Sequence, residues 1–320
     1  MADVIDVMAG SDADPDEPEH TEGALVTQSN LGAEQERQSA GVRTRKRLGL
    51  MFWVSVAFLV LLTLGAVLAE VLPFLSEPDQ RYPELRTEGP QWAHPLGLDK
   101  SGRDIFTRVI YGAQVSLIIA TVGTILAFLF GGLVGLTAGY YRGRVDSIIT
   151  TVTDATLVIP GLILALSLIL FLDNEAERRV PILILVFVLL SVAPIGRVVR
   201  AATLVWSERE FVLAAKTMGA RNGRIMFRDI LPNVAPALIS YSLIIMANLI
   251  VIEGAVSFIG LSVPPPTPTW GDMINKGRAD LADHPHITLM PAMAMFATVL
   301  ALNFVGDKLQ ERYEPRESVL

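Results

Sequence analysis

Cysteine is absent from all 320 residues, which excludes disulfides, iron–sulfur centres and thiolate metal sites and leaves the redox compartment open. A nucleotide-binding loop is absent as well. A phosphate cradle needs Gly-rich backbone followed by Lys and Ser or Thr, and no Gly-Lys-Ser/Thr occurs. Histidine is scarce, at four residues. His94, His284 and His286 fall between apolar runs. The His284/His286 pair lacks a nearby third ligand, so solvated polar groups are favoured over a metal site. No spacing suggests a nucleophile with its base and orienter, so the chain carries no catalytic chemistry of its own. Charge is also short: Asp, Glu, Lys and Arg make up 18% of the sequence, against about 25% in soluble domains. The residues are 51% hydrophobic, with a mean hydropathy of +0.46. This balance points to a membrane protein.

The charge that exists is unevenly placed. Residues 1–40 hold ten acids against one base, Arg37, so the acidity belongs to this segment and the remaining chain carries a net +2. With no sustained apolar period, 1–42 is expected to be a disordered, solvated acidic tail. It does not read as a signal peptide, having no basic start or apolar stretch. Arg43, Arg45, Lys46 and Arg47 then precede an apolar run at about Leu48–Leu75. A span needs roughly 20 apolar residues. Five further runs qualify: about Val115–Gly139, Ile148–Leu172, Val180–Val199, Ala237–Ile259 and Ile287–Val305. The gap Asp173–Arg179 separates the third from the fourth.

With the N-terminus cytoplasmic, 17 of the 26 Lys and Arg fall on the cytoplasmic side. The positive-inside rule therefore favours two cytoplasmic termini. It leaves 76–114 and 260–286 as exterior loops, 115–306 as the core of five spans, and 307–320 as a cytoplasmic tail. Pro264–Pro266 predict an extended, rigid exit from the fifth span, and Trp270 an interfacial anchor.

Ser207–Pro232, SEREFVLAAKTMGARNGRIMFRDILP, is the long polar segment between two spans, and this orientation makes it cytoplasmic. Ser207 and Glu210 have capping-box spacing. Phe211, Ala214, Ala215 and Met218 fall on one helical stripe. Gly219 stands where a left-handed cap belongs. A second short helix with Ile225, Met226 and Ile230 is expected to run up to Pro232. Lys216, Arg221, Arg224 and Arg228 make a cationic flank. The loop thus offers a small flat apolar face to something outside the membrane.

Two acids lie within the spans, Asp154 and Glu253. Such groups are expensive in a bilayer and face either a pathway or a partner. A structural contact is favoured for both: Asp154 with Arg197 or Arg200, Glu253 with backbone or loop donors. Gly131, Gly132, Gly135 and Gly139 are expected to pack helices closely.

Several patches together carry a family resemblance. Residues 94–104, HPLGLDKSGRD, resemble an exterior HPLGTDxxGRD motif, and 139–141 are GYY. Residues 255–271, AVSFIGLSVPPPTPTWG, resemble LSFLGLGxxPPxPSWG. Ser207–Pro232 resembles the EAA loop by which importer permeases dock into their ATPases. Over about 45–315 the chain is similar to the C-type permease of the dipeptide/oligopeptide (and nickel) ABC importers. The resemblance implies an all-α membrane protein of six transmembrane helices, the type I importer permease fold, in a bacterial inner membrane. It assigns ATPase coupling to Glu210, Ala214, Ala215, Gly219, Arg221, Leu231 and Pro232. Leu213 departs from the pattern by standing where the loop's Glu is expected, with Glu208 or Glu210 as a substitute acid. Asp229 occupies a position that is often apolar.

The partners implied are a second homologous permease, two ATP-binding subunits and an exterior substrate-binding protein. Peptide is the implied cargo, membrane lipid the surroundings, and no nucleic acid is involved. ATP is bound by the partners, so the chain needs no cofactor of its own. The alternatives are nickel as cargo or a stand-alone secondary transporter. The latter wants ionisable groups at mid-membrane and a half-repeat; Asp154 is a weak candidate for the first, and no repeat is evident.

Overall fold

A computed structural model of the chain describes residues 49–172 and 178–313. The acidic tail, the basic cluster before the first span, most of the gap after Leu172 and the last seven residues lie outside the described residues. Among the described residues there is helix and loop, with isolated bridges at Arg81–Arg103, Gln91–His94 and Leu98–Asp104 in place of any sheet. Among the described residues five helices are long and apolar enough to cross a membrane, six if a pair bent at a short break is counted as one span.

The first span is α1 (Leu50–Val67), whose Trp53, Leu61 and Val67 are exposed as a lipid-facing helix requires. The second is α2 (Ile105–Tyr141), about ten residues longer at its start than hydropathy alone predicts. Asp104 caps it, its Oδ2 accepting from the Thr107 backbone N–H at 2.7 Å. The same side chain accepts from the His94 Nδ1–H through Oδ1 at 3.0 Å. His94 is therefore a buried closure of the 94–104 turn rather than a solvated group.

The third span departs from expectation. It is two helices, α3 (Gly143–Val158) and α4 (Gly161–Leu172), bent by 89° at the break. Pro160 is the cause. Its ring drives the preceding residue out of the helical region, and Ile159 is extended at φ −79°, ψ 124°. The missing Pro160 N–H removes a rung as well. The apolar run is continuous in composition but the helix cannot be.

The fourth span, α5 (Arg179–Ser207), makes the most extensive packing in the molecule, against α2. In a bilayer, helices gain little by hiding apolar surface from water, so they associate through close van der Waals contact. Here α2 presents Gly123, Ala127, Gly131, Gly135 and Gly139 every fourth residue. A Cβ on Gly135 would sit 2.3 Å from the Gly196 carbonyl oxygen, and one on Gly139 would sit 2.7 Å from Thr203 Cβ. Gly132, next in sequence, faces Leu238 of another helix at 3.8 Å.

After α6 (Glu210–Thr217), the fifth span is a single helix, α7 (Asn222–Phe258). It includes a wider π-type turn at Ile225–Ile230. The second short helix expected to stop near Pro232 does not stop. Pro232 sits just after the wide turn, among the first residues of a new α segment, where a missing N–H costs little. Helices α8 (Trp270–Gly277) and α9 (His286–Tyr313) are the last two α-helices among the described residues.

Trp270 is buried, not an interfacial anchor. Its indole N–H donates to the Val109 carbonyl at 2.9 Å and its ring lies against Gly112. The exit from the fifth span is not extended throughout: residues 265–266 form a turn, and the Pro265–Pro266 bond is cis.

Candidate functional site

The segment around α6 is fixed at both ends, by means the sequence hid. No capping box forms: Ser207 is the last residue of α5, and its hydroxyl donates to the Leu204 carbonyl at 2.9 Å. The helix begins after Arg209 without a side-chain cap. The reason is competition. Ser207 finds a carbonyl partner within its own helix and also accepts from Arg142 Nη2 at 3.1 Å. Glu210 remains exposed in the first turn of α6, where its charge complements the helix N-terminus.

The C-terminal end forms as expected. Gly219 has φ +77°. The Gly219 N–H bonds to the Lys216 carbonyl and the Ala220 N–H to the Ala215 carbonyl, each at 3.0 Å. These are the two bonds of a Schellman motif, which needs a left-handed residue at that point.

The apolar stripe divides. Val212, absent from the expected stripe, is fully buried, and Ala215 packs against the main core. Phe211, Ala214 and Met218 face outward with Leu213; Met218 is 80% exposed. A hydrophobic residue at 213, where the family pattern expects Glu, enlarges that outward apolar face. Arg221 is exposed at the start of α7, while Leu231 is half-buried and Pro232 exposed.

The residues that hold α6 in place are those at the end of α2. Arg142 Nη2 donates to Glu208 Oε1 at 2.8 Å, which ties up that acid and leaves Glu210 as the one unpaired among the described residues. The Tyr140 hydroxyl donates to Asn222 Oδ1 at 2.9 Å, and the Lys216 ammonium lies 5.1 Å from the Tyr140 ring centroid. Arg209 lies over the Trp206 ring at 5.6 Å, and that ring contacts Phe211. In the sequence Arg142 is one of the basic residues expected on the cytoplasmic side, directly after the GYY of 139–141. The signal was their adjacency at the end of a span.

The two intramembrane acids are both satisfied inside the chain. Asp154 Oδ1 accepts from Arg197 at 2.6 Å, with both side chains at least half exposed. Arg200 is engaged instead by Asp146, through two donated bonds. Glu253 is fully buried, with Oε2 accepting from the Ser116 hydroxyl and Oε1 from that of Ser262, each at 2.9 Å. Replacing Glu253 by Ala strands two buried hydroxyls and is expected to cost about 1–3 kcal/mol. Thermal unfolding in detergent measures this; an unchanged midpoint would deny the structural role. Among the described residues no cluster of His, Asp and Glu could hold a metal ion.

Comparison with known proteins places this arrangement. Residues 131–319 match the family model described as binding-protein-dependent transport system inner membrane component. The chain is 35% identical over 260 residues to the glutathione transport system permease protein GsiD of Pectobacterium atrosepticum, covering 81% of this chain and 85% of the relative. The GsiD of Escherichia coli O6:K15:H31 is 34% identical over 267 residues, 83% and 86% of the two chains. The fold resembles the MetNI methionine ABC transporter in an inward-facing conformation, with a TM-score of 0.53 at 18% identity, over 66% of this chain and 98% of that one. The chain is a multi-pass membrane protein that belongs to the binding-protein-dependent transport system inner membrane components, as an ABC-importer permease of the oligopeptide type.

Proposed function

We propose that the chain forms half of a translocation path with a second, homologous permease, and that ATPase subunits drive it through Ser207–Pro232. The observation that carries this reading is the outward apolar face of Phe211, Leu213, Ala214 and Met218 on a helix anchored at both ends. Exposed apolar surface on a short, fixed helix is what a groove on another protein accepts. Arg221 flanks it with an unburied charge. Leu231 and Pro232 set where the loop joins α7. ATP is then bound and hydrolysed in the partners, and a substrate-binding protein delivers cargo from the opposite side.

Both termini lie in the cytoplasm in this reading. The absence of cysteine makes the orientation testable with Trp92→Cys and Met218→Cys. A membrane-impermeant maleimide should label the first on intact cells and the second only after permeabilisation.

The cargo proposed is a short peptide. The relatives are named for glutathione, itself a short peptide, and the spans carry no ring of like charges that would select a strongly charged solute. Docking is tested by co-purification with the ATPase. Ala214 is exposed, so Ala214→Arg should leave folding intact yet reduce ATPase recovery by about tenfold, the effect of a charge in an apolar contact. Full recovery would remove α6 from the contact. Uptake of labelled peptide against nickel, with the cognate binding protein, decides the cargo.

A further inference from the structure

At the end of the molecule opposite α6, a cavity of about 360 Å³ lies among the 94–104 turn, the first turn of α2, and helices α8 and α9. Its floor is apolar. Ile105, Met273 and Ile287 line it and pack with Val109 in a small cluster separate from the main core. Its walls carry the cations Lys100, Arg103, Arg108 and Lys276, with Asp99 and Ser101 beside them.

Three of these four cations are matched. Lys100 pairs with Asp280 at 2.9 Å and Lys276 with Asp272 at 2.7 Å. Arg103 pairs with Asp99 at 2.8 Å and with Asp79 at 3.3 Å. Arg108 differs. It is 2% exposed, and its one hydrogen bond among the described residues runs from Nη1 to the Pro78 carbonyl at 2.9 Å. It makes no ion pair there. The acids whose fields reach it, Asp99, Asp272 and Asp79, are committed to other cations. A guanidinium carries five N–H donors and keeps its charge, and a buried charge without an opposite charge is costly. Arg108 is the one wall cation with no carboxylate bonded to it among the described residues.

We propose that this cavity binds a small organic carboxylate, with Arg108 receiving the carboxylate and the apolar floor receiving an adjoining aliphatic group. The volume lies at the small end of ligand pockets, which run from roughly 300 to 1,000 Å³. The apolar floor distinguishes the site from a bare phosphate or sulfate site, which would have no use for Ile105, Met273 and Ile287. Planar guanidinium matches carboxylate geometry through two parallel bonds. The site rests on this chain's own residues and stands independently of the cargo proposed above.

The test is equilibrium dialysis of the full-length chain in lipid nanodiscs against labelled N-acetyl-leucine, N-acetyl-leucinamide and inorganic phosphate. Using the chain alone means that a docking protein's carboxylate cannot supply the signal. N-acetyl-leucine should bind saturably, while the amide and phosphate bind at least about tenfold more weakly, each lacking one half of the recognition. Arg108→Gln should abolish binding, and thermal unfolding without ligand checks its fold. Lys276→Gln keeps a half-exposed site intact and should weaken binding by roughly threefold, as loss of one wall charge predicts. Absence of binding by the folded chain, equal binding of acid and amide, or binding that survives both substitutions would overturn the site. Phosphate binding as tight as N-acetyl-leucine would overturn the ligand class.

Discussion

Gly219→Val is expected to lower uptake by about tenfold or more while the spans still fold and insert, since the backbone strain of roughly 1–3 kcal/mol falls on one loop. Space is not the issue: a Cβ at Gly219 would meet nothing within 4 Å. The penalty is conformational. A φ of +77° is poorly accessible to a β-branched residue, so valine would open the two bonds that end α6 and turn the chain toward Arg221. The apolar face would then lose its fixed direction relative to α7. Gly219→Asn is the control, because asparagine tolerates the left-handed region; it should retain most uptake. Transport assays alongside ATPase co-purification measure both variants. Normal uptake and normal recovery in the valine variant would mean that the turn does not transmit anything.

A larger loss is expected from Gly135→Leu, which should yield little stably folded protein. A Cβ there would lie 2.3 Å from the Gly196 carbonyl oxygen and 2.9 Å from the Arg200 N. Both atoms are backbone, so no rotamer change relieves the contact and α2 must separate from α5. Overpacking of an adaptable core costs about 1–3 kcal/mol, and this clash should exceed it because the obstructing atoms are fixed. The separation would also spread to Gly131 and Gly139, which lie along the same contact. Gly132→Ala gives the contrast within one turn of the same helix. Its nearest neighbour is a Leu238 methyl at 3.8 Å, so yield and unfolding temperature should stay near wild type. Equal behaviour of the two variants would refute close α2–α5 packing as the centre of the fold.

The fold was legible where composition decides the outcome and less so where a single residue does. Apolar length located five spans and the bent pair counted as the sixth, because a bilayer admits only segments that satisfy their own backbone. It could not register the 89° bend at the third, since Pro160 breaks the helix without interrupting the apolar run. Gly219 was readable because only a few residues suit a positive φ. Ser207 and Glu210 misled because the capping-box pattern is silent about a preceding helix that captures the serine first. Trp270 misled for a related reason: an indole suits a membrane interface and a buried site with an acceptor equally well, and the Val109 carbonyl supplies the acceptor. The Asp154–Arg197 pair was anticipated because an arginine was available at the right depth. The Tyr140 and Arg142 contacts to the residues flanking α6 join positions 65 to 82 apart in sequence, a separation no local pattern encodes.

The continuity of α7 has a mechanical consequence. From Asn222 to Phe258 the helix has 37 residues, a rod of about 55 Å at 1.5 Å per residue. A tilt of about 10° at its Asn222 end would carry the Phe258 end sideways by about 10 Å, given that rod length. Glu253, held by Ser116 of α2 and Ser262 of the following loop, sits near the far tip. The rod is therefore pinned at that tip, and motion imposed at Asn222 must be taken up either by α2 moving with it or by the wide turn at Ile225–Ile230 acting as a flexible joint.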